Sequence, residues 1–98
     1  MIVVTGSVVA KVEGFEEARR LSLEHVHRSR AEAGCLSHAV HVDCENPLRL
    51  VFVEQWESAA AFQAHFAMAA SRDFARNLRP LAEKVTLEVY DSAPLKMT

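Results

Sequence analysis

Of the 98 residues only two are cysteine. Cys35 and Cys44 sit at opposite ends of one strand-patterned run. At ~3.3 Å per residue that separates them by roughly 30 Å, beyond the reach of a disulfide. Neither belongs to a Cys-x-x-Cys pair, which argues against a zinc or redox site. No Gly-x-Gly-x-x-Gly or P-loop string occurs, so nothing points to a nucleotide or flavin, and no cofactor is expected. No apolar run approaches the ~20 residues that span a bilayer, so no membrane partner is expected. Charge of neither sign dominates: 11 basic residues face 13 acidic ones, for a net −2. That balance gives no electrostatic reason to expect nucleic acid. The basic stretches His27 to Arg30 and Arg72 to Arg79 have acids beside them and read as solvated faces. The N-terminus enters a strand with no charged leader, so a cytoplasmic location is expected. Repeats, low-complexity tracts and linkers are absent as well.

What is present is one domain over residues 1–98, near the size where a single core is adequate but not generous. Half the residues are hydrophobic. For so small an object this implies that a partner covers some apolar surface. The first strand is predicted over about Ile2 to Val12, apolar on both faces and therefore covered on both. Gly14 ends it. Phe15 to Ala33 has helical spacing, with Phe15, Ala18, Leu21, His25, Val26 and Ser29 inward, and Gly34 suits the residue after a helix. Leu36, His38, Val40 and Val42 then alternate with Ser37, Ala39, His41 and Asp43, the period of a strand. Glu45-Asn46-Pro47 breaks the run, and Leu48 to Trp56 resumes as a second strand. Ser58 is a candidate N-cap for a helical region over 59–79, with a break near Ala70-Ser71 where Ser71 could cap a second piece. Pro80 closes it, and Lys84 to Tyr90 alternates as the last strand.

The order β-α-β-β-α-β predicts an α+β, ferredoxin-like fold: a four-stranded antiparallel sheet with helices on one face. Val3, Val9, Val51, Val53 and one side of 85–89 would then make an apolar patch on the other face. A second copy, sheet against sheet, would cover it, so a homodimer is expected.

The Gly34-Cys35-Leu36-Ser37 entry to the hairpin, the Glu54-Gln55-Trp56-Glu57-Ser58 junction, and Phe62 with His65 behind it form an ordered set. With the Gly14-Phe15 exit of the first strand, the chain resembles the antibiotic biosynthesis monooxygenase family over most of its length, from the opening strand to about Tyr90. The resemblance implies a dimeric α+β barrel. Against the family, about three extra residues lie between His65 and Phe74. The same scaffold carries unrelated chemistries. Haem-degrading relatives place a histidine four positions after a phenylalanine, where this chain has Leu78 after Phe74. They also carry an asparagine in the first strand, matched here by Ser7. Both departures argue against haem degradation.

Among five histidines, His27 and His41 read as rim residues. His25, His38 and His65 each lie on an inward face. Taken alone, each reads more readily as a half-buried histidine bonded to a backbone carbonyl than as a catalytic group. The resemblance raises His65, because many members have a histidine there, and His38 on the facing strand is the second candidate. No metal site is expected from the three: their spacing matches no metal motif, and no carboxylate sits at short helical spacing to complete one. Trp56 reads as a core tryptophan at the sheet–helix junction and equally as a wall for a planar ligand. Glu54 shares its face with Trp56 and Phe52. Covered by helices, it needs a partner such as His38 or Arg30; at a strand end it is simply exposed. Phe52, Trp56, Phe62 and Phe66, with Glu54, His25 and Ser7, are the candidate substrate-binding residues.

The resemblance and these residues together point to a cofactor-independent monooxygenase acting on a hydroquinone or polyphenol with dioxygen. An electron-rich phenolate can itself reduce dioxygen, so the protein need supply only an apolar pocket, exclusion of water and a base. Two alternatives stay open. One, implied by other members of the resembled family, is an isomerase or binding protein for a small polar metabolite, phosphorylated or not, with Arg30 and Arg49 as the candidate cations. The other is a non-catalytic ligand-binding dimer.

Overall fold

The structure, a computed structural model, describes residues 1–97. Its strands are β1 (Ile2–Ala10), β2 (Cys35–Asp43), β3 (Asn46–Trp56) and β4 (Ala82–Asp91). The helices are α1 (Phe15–Ser29), α2 (Ala59–Ala67) and α3 (Ala69–Leu78). The strands form one antiparallel sheet in the order β2-β3-β1-β4, the predicted ferredoxin-like α+β arrangement. No helix among the described residues is long and apolar enough to cross a membrane.

Alternation along β1 decides which face is covered. Ile2, Val4, Val8 and Ala10 are buried, while Val3, Thr5 and Val9 between them are partly exposed. The main core joins Val8 and Ala10 to Ala18 and Val26 of α1, Leu50 and Phe52 of β3, and Leu78 of α3. A second cluster holds Ile2, Val4 and Trp56, with Phe62 of α2 packed on it. Apolar burial of this kind, at about 25 cal/mol per Å2, is what holds the helices to the sheet.

Local differences from the sequence reading have identifiable causes. β1 stops at Ala10, and a 3-10 turn over Val12–Gly14 leads into α1. α1 ends at Ser29, four residues before Ala33, and the Ser29 hydroxyl donates back to the His25 carbonyl at 2.6 Å. Gly34 holds a φ of +83°, and a Cβ there would lie 2.5 Å from Ala61 Cβ. Only glycine fits where this turn meets α2. The β2–β3 register shifts between Cys35 and Ser37, so Cys35 faces the core cluster and Leu36 stays exposed. A bulge inserts a residue and turns its neighbour outward. Ser58 caps α2 as predicted, accepting from the Ala61 N–H at 3.1 Å. The break after α2 falls at Met68, whose backbone is extended, two residues before the predicted place. Ser71 makes no cap: it lies inside α3 with its hydroxyl buried and unpartnered.

The last strand corrects the sheet faces. Val85 pairs with Val8, Leu87 with Gly6 and Val89 with Val4. Directly opposite residues share a face, so these three point to the helix side, not to the outer face assigned from sequence. The helices do not reach that far, and all three are about half exposed. Cys35 and Cys44 are free thiols.

Candidate functional site

His25 comes from α1, His38 from β2 and His65 from α2. Their rings converge, with centroids 5.4 Å apart for His25–His38, 5.2 Å for His25–His65 and 5.6 Å for His38–His65. All three side chains are buried. Strand register and helix position account for this. His38 lies directly opposite Glu54, Glu54 directly opposite Val4, and α2 begins just after Trp56, two residues further along β3.

Each histidine has its own surroundings. His65 Nδ1 is 2.8 Å from Glu32 Oε1. A carboxylate accepts, so Nδ1 carries the proton and Nε2 is the nitrogen left to take one. His25 is the opposite case. The Arg28 guanidinium lies 2.9 Å from His25 Nδ1 and donates to it, which places the ring proton on Nε2. Burial pushes the His25 pKa down to about 3, reinforced by His38, His65 and Arg28 and opposed by Glu54. The neutral ring stacks on Phe74 at 4.1 Å. His38 is the most enclosed. Its Nε2 is 3.2 Å from Glu54 Oε1, close enough for attraction but misaligned for a hydrogen bond, and neither ring nitrogen has a hydrogen-bond partner. Burial pushes the Glu54 carboxyl up, but His38, the Trp56 N–H at 2.9 Å and His65 outweigh this and hold it below its ordinary value.

An apolar cavity of about 210 Å3 opens beside this cluster, between sheet and helices. Phe52, Phe62, Phe66, Phe74 and Leu78 give it apolar walls, while His25, Glu54 and His65 face it as polar groups. Ser7, expected from sequence at the substrate site, borders the cavity but alternates to the outer face of β1, where its hydroxyl is bonded to that of Thr86 at 2.7 Å. An apolar cavity of ~150 Å3 accommodates benzene, so this one has room for a substituted ring or a small bicyclic compound.

Two residues expected at the pocket are placed elsewhere. Trp56 is fully buried in the second core cluster, and the His65 ring lies over it at 4.5 Å with a 32° tilt. It supports His65 and does not line the cavity, because α2 starts only three residues after it and closes over the indole. His38 is likewise set behind the cavity wall. Arg30 donates to the His38 carbonyl and Arg49 pairs with Asp43, so neither is a pocket cation. Arg72 and Arg79, assigned from sequence to a solvated face, line the cavity. Glu32 was given no role from sequence, Phe74 served only to compare the chain with haem-degrading relatives, and Arg28, read as part of a solvated face, instead bonds to His25. Glu32 lies in an irregular turn where periodicity is silent. The sequence ground for expecting no metal site also fails, since spacing along a chain says nothing of ligands drawn from three separate elements.

The fold and the inward-facing polar cluster define a small α+β, ferredoxin-like domain with an apolar site between sheet and helices. A profile of the family described as ABM, antibiotic biosynthesis monooxygenase, matches residues 1–77, and the chain belongs to that family. The Synechocystis sp. protein sll1783 is 30% identical over 93 residues, which are 94% of this chain and 63% of that protein's length. A Shewanella oneidensis crystal structure, SO0527, is 30% identical with a TM-score of 0.86, covering 91% of this chain and 87% of the other. A Deinococcus radiodurans crystal structure named for the same family superposes with a TM-score of 0.94, covering 100% and 98%. At 22% identity it speaks for the fold alone.

Proposed function

We propose that the protein is a cofactor-independent monooxygenase that oxidises a hydroquinone or small polyphenol with dioxygen. The observation that carries this reading is the Glu32–His65 pair at the edge of an aromatic-walled cavity. Free phenols titrate near ~10, so deprotonation near neutrality needs both a base and a group that stabilises the phenolate. His65 Nε2, its tautomer set by Glu32, is the base. The neutral His25 ring, with its proton on Nε2, is the donor available to the phenolate oxygen.

The reaction then needs no further redox group. The phenolate passes one electron to dioxygen, and the resulting radical pair combines to form a carbon–oxygen bond. Loss of the ring proton at that carbon breaks the O–O bond. One oxygen stays in the product as a hydroxyquinone, the other leaves as water, and the substrate supplies all four electrons. The apolar walls keep water from the phenolate and the peroxide.

A second reading is favoured by Arg72 and Arg79, which bring two cations to the cavity. They suit a small phosphorylated metabolite, which the same site would bind or isomerise. Oxygen-electrode measurements with menadiol separate the two. Uptake well above the matched uncatalysed rate supports the oxygenase. Its absence, together with a phosphate-dependent rise in melting temperature, supports the second reading.

A further inference from the structure

We infer that His25, His38 and His65 form a binding site for a divalent first-row transition ion of the zinc type. Their ligating nitrogens all lie within 4.8 Å of one another, and each comes from a different element. With Zn–N bonds of ~2.1 Å at tetrahedral angles, three imidazoles on one ion have ring centroids ~5 Å apart. The three separations here, 5.2, 5.4 and 5.6 Å, are nearly those already. Rotation of the rings is then the movement needed to bring the nitrogens from within 4.8 Å of one another onto a shared ion.

The partners of the rings fit the same purpose. His38 is 2% exposed and neither of its nitrogens is hydrogen-bonded. A buried imidazole left without partners is costly, and an ion would relieve that cost. Glu32 on His65 Nδ1 is the carboxylate–histidine arrangement that orients metal ligands. Glu54, 3.2 Å from His38 Nε2, supplies a second carboxylate beside the set. Neutral imidazoles with adjacent carboxylates suit zinc, cobalt, nickel or copper, and not the hard cations magnesium and calcium, which prefer oxygen.

One neighbour opposes the ion. Arg28 donates to His25 Nδ1 and so keeps the proton on Nε2. For His25 to ligate through Nε2 the proton must move to Nδ1, and Arg28, which is partly exposed, must turn away. Arg28 is thus a gate on the site. The site itself does not depend on the proposed oxygenase reaction. Its consequence does: an ion on His65 Nε2 removes the base, so occupancy would switch that reaction off.

Zinc titration of the 15N-labelled protein, read by long-range imidazole NMR, tests the site directly on the wild-type chain. The expected result is saturation at one ion per chain, with ring-nitrogen shifts at His25, His38 and His65. Shifts confined to the exposed His27 and His41, or no shifts, would overturn the proposal. Cobalt should give the visible absorption of a tetrahedral centre, and His38→Gln should weaken binding by more than the ~10–100-fold typical of a lost outer partner. Arg28→Gln, whose amide oxygen can accept from Nδ1–H, should tighten binding. Unchanged cobalt affinity in a folded His38→Gln protein would also overturn the site, whether or not the oxygenase assay succeeds.

Discussion

Glu32 and His65 are 33 residues apart in sequence and 2.8 Å apart in the fold, the carboxylate accepting from Nδ1 of the ring. The pair is nearly closed to solvent, with side-chain exposures of 13% and 5%. A charge-assisted bond in such surroundings fixes both the tautomer and the ring direction. It also stabilises the imidazolium that forms when His65 takes a proton.

The first prediction concerns that pair. Glu32→Gln keeps an oxygen able to accept from Nδ1 but loses the charge, whereas Glu32→Leu loses both. Turnover with a hydroquinone should therefore fall in the order wild type, Glu32→Gln, Glu32→Leu. KM should change little, because Glu32 does not line the cavity. Steady-state oxygen uptake by the three proteins checks this, and equal turnover would separate Glu32 from the chemistry.

His65→Ala should lower turnover on the order of 10²–10⁴-fold, the usual contribution of a positioned base. The variant also uncovers the Trp56 face, so circular dichroism must show that it folds. A folded His65→Ala protein with full oxygenase turnover would move the role of base away from this residue. His38, enclosed behind the cavity wall, could not take it over without rearrangement.

Much of this architecture was legible in the sequence, and the failures are informative. The alternation of β1 and β3 and the Ser58 cap read correctly, because period and capping are local properties. Parity also placed His25, His38 and His65 inward one at a time. Their convergence was not legible, since it depends on the register His38↔Glu54↔Val4 and on where α2 crosses the sheet. Trp56 was read both as a core tryptophan and as a ligand wall, and the choice between them is made by α2 and His65 lying over the indole, which leave it in the core. Val85, Leu87 and Val89 were placed on the wrong face because an alternating strand carries no mark of which side meets the helices. The register with β1 supplies that.

Trp56→Phe is accordingly a test of stability. The change removes the indole N–H that donates 2.9 Å to the buried Glu54 and leaves a void in the Ile2–Val4 cluster. A loss of about 2–4 kcal/mol is expected from the charged hydrogen bond and the missing volume together. At ~4–8 °C per kcal/mol for a domain of this size, the melting temperature should fall by at least ~8 °C. Unaltered stability with a raised KM would restore Trp56 as a ligand wall.

Stability should also fall as the solution is acidified through the range where histidine titrates. His25 has its pKa depressed from 6.5 to about 3, chiefly by burial, with His38, His65 and Arg28 adding to it. Below about pH 6.5 the unfolded chain takes up a proton that the folded chain refuses. The stabilisation is thus complete above 6.5 and is lost progressively toward 3. A single such group gives a slope of up to ~1.4 kcal/mol per pH unit. Glu54, held below its ordinary value, acts in the same direction at lower pH. Urea unfolding at pH 7.5, 6.0 and 5.0 measures the slope, and His25→Asn should flatten it. A slope unchanged in that variant would mean that His25 is protonated in the folded protein.

The final prediction concerns the edge of the sheet. Val85, Leu87 and Val89 are 49%, 51% and 45% exposed, in a row on the helix side of β4, and Leu87 and Val85 also border the cavity. On the outer face Val53 is 40% exposed. β4 is an edge strand, with one side of its backbone unpaired by the rest of the sheet. β4 also carries Glu83, Lys84, Glu88 and Asp91, yet an exposed apolar row along one face of a long edge strand is what a partner covers. We therefore propose that a second copy of the chain covers β4, burying more than ~1,000 Å2 in total, as a stable dimer does. The partner would then also narrow the open side of the cavity, so dimerisation and substrate binding should be coupled. Light scattering at micromolar concentration should give twice the chain mass. Leu87→Lys should shift the protein toward monomer and raise KM for the hydroquinone in parallel. A wild-type monomer in that measurement would leave the apolar edge without the partner assigned to it.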